Sequence, residues 1–284
     1  MSDVSKALYL DLLKKALTDY LHIDHAYANG VPSEHWKSNS LFKKLRNAWL
    51  IRLMRRSHVL VLKEDRLTPA ERRRRRQGGL DWPLMAETMI GLKRLDNLQD
   101  LCTAVIRDDI PGDFIETGVW RGGASILMRA VLKVNDVTDR LIWACDSFEG
   151  LPPPDPEKHP ADQGDIHHTF STLAVSQQAV EANFEKYGLL DDQVRFVKGY
   201  FEDTLDGIPA ERFAILRLDG DMYGSTIVAL NTLYPRLSAG GYIIIDDFGL
   251  GPCRQAVEDY RAEHDITEEI ISIDTFGVYW QKRP

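Results

Sequence analysis

The stretch FAILRLDGD, residues 213–221, decides the fold, because its apolar run is long enough for a buried strand and closes on Asp219 and Asp221. A second run, YIIIDD at residues 242–247, closes on Asp246 and Asp247 in the same way. Continuous apolar runs are typical of parallel strands covered on both faces, and open α/β sheets bind ligands at the carboxyl ends of their strands. We therefore expect four aspartates at one crevice, where their repulsion favours a hard divalent metal ion between them.

Strands and helices alternate on both sides of these two runs. Strands are predicted at 113–117, 140–145, 194–197, 269–273 and 277–281, and helices at 82–107, 124–134, 176–187, 227–237 and 253–264. Such alternation is typical of a doubly wound sheet. The chain is therefore expected to form an α/β domain with a mostly parallel sheet and helices on both faces.

The composition is that of a globular protein with an acidic balance: 284 residues, 44% of them hydrophobic, and a formal net charge of −8. No apolar run approaches the roughly 18 residues of a membrane span, and the N-terminus lacks the pattern of a secretory signal. The three cysteines are widely spaced, which argues against a disulfide framework or a cysteine zinc site. We expect a cytoplasmic protein with no membrane partner, and the negative charge disfavours nucleic acid as the main partner.

The first 80 residues are predicted to be an N-terminal helical extension of a domain at 81–284. Leucines at helical spacing indicate an amphipathic helix within residues 1–30. The strongly basic segment 41–76 includes a helical pattern at 41–62, which favours a packing or oligomer helix over a membrane-surface helix. The arginines at 72–76 are expected in an exposed loop or helix end. The extension is expected to support a homo-oligomer, either a dimer or a tetramer, and to shape the substrate pocket through a neighbouring subunit.

The turn ETGVWRGG, residues 116–123, connects the first strand to its helix. Glycines there permit positive φ and close approach of a ligand, but the spacing is neither Gly-x-Gly-x-x-Gly nor a P-loop. Glu116 disfavours phosphate and suits an ammonium group, whereas Asp146, at the end of the second strand, can accept both hydroxyls of a ribose. Each feature alone also fits an ordinary turn or helix cap. Together they suggest a nucleoside that carries an ammonium group, as S-adenosylmethionine does.

Several longer motifs resemble the macrocin O-methyltransferase family (TylF/MycF type), from about Leu80 to the C-terminus and more weakly into the N-terminal helices. They are DFIETGVWRGG (113–123), DSFEGLP (146–152), NF (183–184), YGL (187–189), LDGDMY (218–223), IDD (245–247) and GVYW (277–280). The resemblance implies a class I, Rossmann-like methyltransferase fold with a seven-stranded sheet, which binds S-adenosylmethionine, releases S-adenosylhomocysteine and needs Mg²⁺. It also implies a small, sugar-like substrate with a free hydroxyl.

The resemblance also assigns roles to individual residues. Asp221 matches the family's proposed general base, and Asp219, Asp246 and Asp247 match its metal ligands. The positions that match cofactor-binding residues are Glu116, Thr117, Gly118, Arg121, Gly122, Asp146, Ser147, Phe148, Gly199, Phe201 and Asp219. A proline-rich stretch corresponds to a mobile lid over the substrate, and it contains Asp162, Asp165, His167 and His168.

Four alternatives share part of this pattern. A catechol-type or phenol-type methyltransferase shares the fold and the metal, but usually has a lysine base where this chain has the run Met222–Gly224. A haloacid-dehalogenase phosphatase needs Gly-Thr or Gly-Val after its aspartate pair. A metal-dependent glycosyltransferase has no place for Glu116 or Asp146. A catalytically silent S-adenosylmethionine-binding partner protein would not need the complete aspartate set, and only an assay separates it from an enzyme.

Overall fold

A seven-stranded sheet forms the centre of the molecule, for which the computed structural model describes residues 2–23 and 67–283. The strands are β1 Asp113–Thr117, β2 Ile142–Asp146, β3 Val194–Lys198, β4 Phe213–Leu218, β5 Leu237–Ile245, β6 Ile271–Ser272 and β7 Val278–Gln281. They lie in the order β3-β2-β1-β4-β5-β7-β6, and every pair is parallel except those that involve β7. The predicted mostly parallel α/β sheet is confirmed.

Helices cover both faces of this sheet. In the described residues the α-helices are α1 Asp3–Leu17, α2 Pro69–Gln77, α3 Leu92–Arg107, α4 Gly123–Val134, α5 Gln177–Lys186, α6 Phe201–Thr204, α7 Tyr223–Leu233 and α8 Gly251–Glu263. Short 3₁₀ turns occupy Tyr20–His22, Pro160–Asp162, His167–Thr169 and Tyr234–Arg236. Side-chain hydroxyls of Ser2, Thr68 and Ser176 cap the starts of α1, α2 and α5.

Alternation along the central strands divides the core into two layers, one on each face of the sheet. Phe114 belongs to the layer that includes α3 and α4, and the next residue, Ile115, belongs to the layer that includes α7 and α8. All 6 residues of β4 are buried, which explains its unbroken apolar run. Leu13 and Leu17 of α1 join the first layer, so the start of the chain packs on the domain. The boundary predicted between residues 80 and 81 stays a prediction.

The register of the central strands aligns their carboxyl ends. Thr117 of β1 pairs with Cys145 of β2 and with Leu218 of β4, and Leu218 pairs with Ile245 of β5. The residues that follow these four positions are Gly118, Asp146, Asp219 and Asp246. Backbone geometry alone therefore brings the glycine turn and the predicted acidic residues to the same edge.

The prediction of one helix over residues 82–107 is wrong, because α3 begins only at Leu92. Residues before it follow an irregular path whose carbonyl oxygens find partners outside a helix. Arg121 Nη1 donates to two of them, the carbonyl oxygen of Leu84 at 2.7 Å and that of Ala86 at 2.8 Å. The side chain of Arg121 thus fixes the path of the chain before α3.

The arginines at 72–76 form the last part of α2, and Arg76 departs from the expected exposure. Its side chain is buried, with Nε 2.8 Å from Asp81 Oδ2 and Nη1 2.6 Å from the carbonyl oxygen of Thr18. A charged residue is almost never fully buried unless it is paired. Arg76 therefore joins α2 to α1 and is not available to nucleic acid.

The basic helix predicted at 41–62 lies outside the described residues, so its oligomer or membrane role stays a prediction. Among the helices formed by residues 2–23 and 67–283, none combines the length and the apolarity that crossing a bilayer requires. The described cysteines, Cys102, Cys145 and Cys253, are all buried free thiols.

Phe184 tests the packing of α5 on the sheet. Its side chain is 0% exposed and meets the ring of Phe196 edge to face, with the centroids 5.6 Å apart. Phe184→Ala is expected to lower the free energy of unfolding by about 3–5 kcal/mol through the cavity that it leaves. Leu190→Ala is the control, because Leu190 is 37% exposed. Equal losses for the two variants in urea titrations would contradict the described packing.

Candidate active site

Three carboxylates form a cluster at the carboxyl edge of the sheet. Asp219, Asp221 and Asp247 each place one oxygen within 4.8 Å of the others. Asp219 follows β4 directly, Asp247 follows β5 by two residues, and Asp221 lies on the loop before α7 with a left-handed φ of 55°. The backbone N–H of Asp221 donates to Asp247 Oδ2 at 3.3 Å. A donor set made only of carboxylate oxygens suits a hard cation such as Mg²⁺.

The pKa values in this cluster show the cost of gathering negative charge. Burial, followed by the charge of Asp219, raises the pKa of Asp221 to about 7. Burial and the neighbouring charge of Asp219 also raise the pKa of Asp247 well above its ordinary value. The pKa of Asp219 is raised by burial and by the charge of Asp246, against the opposing effect of Arg217. The neighbouring positive charge is therefore too small to keep all three carboxyl groups ionised at neutral pH. A bound divalent cation would supply the missing charge and lower their pKa values.

Asp246 is oriented away from this cluster and towards two arginines. Its Oδ2 lies 2.5 Å from Arg94 Nη1, and its Oδ1 lies 2.6 Å from Arg217 Nη2. Arg94 also pairs with Asp274, at 3.0 Å, in the turn before β7. The four aspartates expected at one crevice are thus divided: three face one another and the fourth is held by arginines. The role of Asp246 as a metal ligand stays a prediction.

Arg217 lies beneath the cluster and was not assigned a role from the sequence. Its side chain is 2% exposed, and Nη1 is 2.6 Å from Glu116 Oε1 and 2.9 Å from Asp219 Oδ2. Residues two apart on a strand point to the same face, so Arg217 and Asp219 meet as a consequence of strand geometry. The available signal was a lone arginine inside an apolar strand, because such a buried charge requires partners.

Glu116 is buried against Arg217 and does not line the open cleft. The hydroxyl of Ser125 donates to its Oε2. Burial raises the pKa of Glu116 to about 7, against the opposing effect of Arg217. In the structure this carboxylate therefore links β1 to β4 and to α4, and its predicted contact with a ligand ammonium group stays a prediction.

A cleft opens above the carboxyl ends of β1, β2 and β4. Five of the predicted cofactor-binding residues line it, and they are Gly118, Asp146, Ser147, Phe201 and Asp219. The predicted base Asp221 lines it as well, next to Met222 and Gly224. The opposite wall comes from the proline-rich segment, which we define as residues 152–170, through Pro152–Asp155, Lys158, His159 and Asp162. The cleft thus runs from the glycine turn to the acidic cluster.

Asp146 organises the glycine turn beside this cleft. Its Oδ2 accepts the N–H groups of Val119 at 2.7 Å and Trp120 at 3.3 Å, and its Oδ1 accepts that of Phe148 at 2.7 Å. Burial raises its pKa despite these donors. A carboxylate oxygen has two acceptor positions, so the turn uses both positions of Oδ2. Ser147 Oγ lies 3.4 Å from Oδ1 but donates to the carbonyl oxygen of Gly150 at 2.6 Å, so Oδ1 keeps one position for a ligand hydroxyl.

The remaining predicted cofactor-binding residues do not line the cleft, and their contacts are with the backbone around it. The carbonyl oxygen of Thr117 accepts the N–H of Asp219 at 2.9 Å, and Gly199 N–H donates to the carbonyl oxygen of Asp146 at 3.0 Å. Gly122 is the N-cap residue of α4, and Phe148 is buried. Arg121 donates to the carbonyl oxygens of Leu84 and Ala86. Their direct contacts with a cofactor stay predictions.

The two histidines of the proline-rich segment differ in position. His167 Nδ1 lies 2.7 Å from Asp165 Oδ2, and the charge of a protonated His167 would lower the pKa of Asp221. His168 is exposed. His167 therefore lies on the side of the acidic cluster, whereas His168 does not contribute to it.

The strand order, the antiparallel β7 and a cleft that joins a glycine turn to strand-end aspartates define a class I methyltransferase. The structure of the O-methyltransferase NovP is similar, with a TM-score of 0.80, 41% sequence identity, and coverage of 98% of this chain and 100% of that chain. The family model described as Macrocin-O-methyltransferase (TylF) matches residues 6–282. The chain belongs to this family and is an S-adenosylmethionine-dependent O-methyltransferase.

Two curated relatives indicate the kind of enzyme to which the chain is similar. Mycinamicin III 3''-O-methyltransferase from Micromonospora griseorubida is 42% identical over 278 residues, which cover 97% of this chain and 96% of the relative. The 8-demethyl-8-(2,3-dimethoxy-alpha-L-rhamnosyl)-tetracenomycin-C 4'-O-methyltransferase from Streptomyces olivaceus is 54% identical over 204 residues, which cover 72% of this chain and 78% of the relative.

Gly118 tests the close approach of β1 and β4 at the cleft. Its φ is +85°, and an added Cβ would lie 1.8 Å from the carbonyl oxygen of Asp219. Gly118→Ala is expected to lower the free energy of unfolding by about 3 kcal/mol or more and to abolish S-adenosylhomocysteine binding in calorimetry. Gly188→Ala is the matched control, because its φ is +63° and nothing lies within 4 Å of the added Cβ. It should lose only about 1 kcal/mol through backbone strain, and equal losses would contradict the contact.

Asp221 gives the metal-free protein a pH dependence of known sign. Its pKa rises from an ordinary value of 3.8 to about 7 on folding, so between these values the folded state holds a proton that the unfolded state has lost. This contribution to stability is complete below pH 3.8 and is lost as the pH rises through about 7. In chelator, Asp221→Asn should therefore unfold at a higher temperature than the unaltered protein at pH 8, with a smaller difference at pH 5.5.

Asp192→Asn is the control for this experiment, because Asp192 is an exposed carboxylate at the opposite edge of the sheet. It should follow the unaltered protein at both pH values. If the unfolding temperature of Asp221→Asn also equals that of the unaltered protein at both pH values, repulsion within the carboxylate cluster does not destabilise the metal-free fold.

Proposed function

We propose that this enzyme transfers the methyl group of S-adenosylmethionine to a sugar hydroxyl of a glycosylated natural product in a Mg²⁺-dependent reaction. The observation that carries the proposal is the carboxylate cluster beside the cleft, formed by Asp219, Asp221 and Asp247. The substrate class is supported by the activities for which the two relatives are named, which concern mycinamicin III and a rhamnosyl tetracenomycin.

The residues present fit a divalent cation, since they offer oxygen ligands and an unbalanced negative charge. Asp219 and Asp247 would hold the ion, together with Asp246 if its carboxylate turns from Arg94. When bound, Mg²⁺ would acidify one sugar hydroxyl and orient a neighbouring one. Arg217 restrains Asp219 from below through their 2.9 Å contact, so this ligand is already oriented towards the cleft.

Asp221 is proposed as the general base. It lines the cleft next to Asp219, and a carboxylate in this position can accept the hydroxyl proton. Its pKa of about 7 is the value without a cation, and a nearby positive charge would lower it towards the ordinary range. A carboxylate of ordinary pKa is a sufficient base when the hydroxyl has itself been acidified.

The rest of the cleft has a positioning role. S-adenosylmethionine, when bound, supplies a methyl group on a positively charged sulfonium sulfur. Gly118, Asp146 and Ser147 would hold the nucleoside end, and the proline-rich segment would exclude water from the opposite side. Orientation of two reactants can account for a large part of the lowering of the activation free energy. A dry environment also favours the collapse of the sulfonium to a neutral thioether.

An end-point assay by mass spectrometry tests this proposal. Glycosides that carry a deoxysugar with neighbouring hydroxyls are expected to gain one methyl group, and catechol none. Chelation of the metal should reduce the rate by about 100-fold or more, because metal catalysis contributes several kcal/mol. Asp221→Asn should reduce kcat by about 10²–10⁴-fold, whereas Asp192→Asn should not.

The possible outcomes separate the alternatives. An unchanged methylation rate in chelator would remove Mg²⁺ from the proposal. Methylation of catechol alone would favour the hypothesis of a catechol-type methyltransferase. Calorimetric binding of S-adenosylmethionine without transfer to any acceptor would favour a non-catalytic partner protein. Light scattering of the purified protein tests the predicted dimer or tetramer, and cell fractionation tests the predicted cytoplasmic location.

A further inference from the structure

Helix α7 begins directly after the acidic motif but has no cap of its own. Its N-cap residue is Met222, whose side chain makes no hydrogen bond to the helix. The first N–H groups of a helix have no partner within it, and serine, threonine, aspartate or asparagine normally supplies one. The first turn of α7 therefore needs an acceptor from elsewhere in the chain.

Asp162 of the proline-rich segment supplies this acceptor from 61 residues away. Its Oδ1 accepts the N–H of Tyr223 at 2.7 Å, and its Oδ2 accepts the N–H of Gly224 at 2.9 Å. The residue is 2% exposed. A carboxylate at a helix N-terminus also interacts favourably with the helix dipole. Both oxygens of this buried carboxylate thus accept backbone N–H groups at the start of α7, while the residue also forms part of the cleft wall.

The surrounding contacts show that the proline-rich segment is seated on this turn of the helix. The ring of His159 lies 5.5 Å from the ring of Tyr223. An added Cβ at Gly224 would lie 2.7 Å from His159 Cδ2 and 3.3 Å from Asp162 Oδ2. Position 224 therefore has room for the segment only because it is glycine.

The loop between β4 and α7 contains the predicted base in a strained conformation. Asp221 has a φ of 55°, and the N–H of Met222 donates to the carbonyl oxygen of Gly220 at 2.5 Å. A left-handed conformation at a residue other than glycine costs about 1–3 kcal/mol and persists where surrounding contacts fix it. The capped start of α7 is one end of this loop, and the strand β4 is the other.

We propose that Asp162 is a positioning residue that couples the seating of the proline-rich segment to the conformation of Asp221. Seating the segment caps α7, and the capped helix holds the loop that carries Asp221. The same segment forms one wall of the cleft through Pro152–Asp155, Lys158 and His159. The cleft wall and the base therefore adopt their places together. The catalytic consequence rests on the proposed role of Asp221, but the structural coupling does not.

Hydrogen exchange of the whole protein in the presence of S-adenosylhomocysteine tests the coupling without an acceptor substrate. Asp162→Asn keeps the shape of the side chain but replaces one acceptor oxygen with an amide that cannot accept. We expect about tenfold faster exchange at residues 160–165 and at Tyr223 and Gly224, which corresponds to the loss of about one cap interaction. Glu157→Gln, an exposed change of the same charge in the same segment, should exchange like the unaltered protein.

Gly224→Ala provides a second variant that leaves Asp162 unaltered. Alanine favours a helix by about 1 kcal/mol over glycine, so the variant should fold, yet its Cβ displaces His159 and Asp162. We expect faster exchange at residues 160–165 without loss of global stability. In both variants kcat should fall by about tenfold, and in Glu157→Gln it should not.

Two results would overturn the proposal. One is unaltered exchange in residues 160–165 for Asp162→Asn, which would show that the contact does not seat the segment. The other is faster exchange there with unaltered kcat in an enzyme that methylates its substrate, which would show that Asp162 is only a helix cap. If no substrate is methylated by the unaltered protein, the proposed function fails while the exchange result still decides whether the segment and α7 are coupled.

Discussion

Crowding of negative charge at the carboxyl edge of the sheet is the constraint on which the rest of the site depends. Two like charges about 4 Å apart near a protein surface repel each other by about 4 kcal/mol, and this edge gathers several carboxylates. Arg217 offsets part of this repulsion from within β4, since it contacts Glu116, Asp219 and Asp246. Because those residues follow or lie on three adjacent strands, one side chain fixes the relative positions of β1, β4 and β5 at the cleft.

Arg94 extends the same network beyond the sheet. It joins α3 to Asp246 and to Asp274 in the turn before β7. A buried ion pair is weak evidence for stability, because removing two charges from water offsets their attraction. Its effect here is positional: each oxygen of Asp246 lies next to a different arginine, whereas Asp219 lines the cleft and Asp247 lies beside Asp219 and Asp221. The structure thus separates carboxylates that are adjacent in sequence into two different electrostatic environments.

The fold and the location of the site could be predicted from local patterns in the sequence. Apolar runs closed by aspartates predict strand ends, and alternation with helical periods predicts a parallel sheet, so the crevice follows without any knowledge of tertiary contacts. The resemblance to the macrocin O-methyltransferases, which the family match confirms, gave the cofactor and the reaction. These features depend on short-range patterns or on several motifs read together.

The orientation of individual side chains could not be predicted in this way, because it depends on partners that are distant in sequence. Asp246 is turned by Arg94, from 152 residues away. Arg121 lies in the glycine turn, yet its guanidinium holds carbonyls that precede α3, and these same contacts explain why the helix predicted at 82–107 begins late. Asp162 lies in a proline-rich stretch that has no periodic pattern, and only the structure shows that it reaches α7.

The dependence of α7 on Asp162 has a consequence for engineering new acceptor specificity. The proline-rich segment is an obvious unit to exchange between related enzymes, because it forms a wall of the cleft and is contiguous in sequence. It is not an independent module, since it carries the cap of a helix that belongs to the recipient. A transplanted segment would need an aspartate at the position of Asp162 and a recipient with glycine at position 224, so these two residues should be treated as one inherited unit in any chimaera.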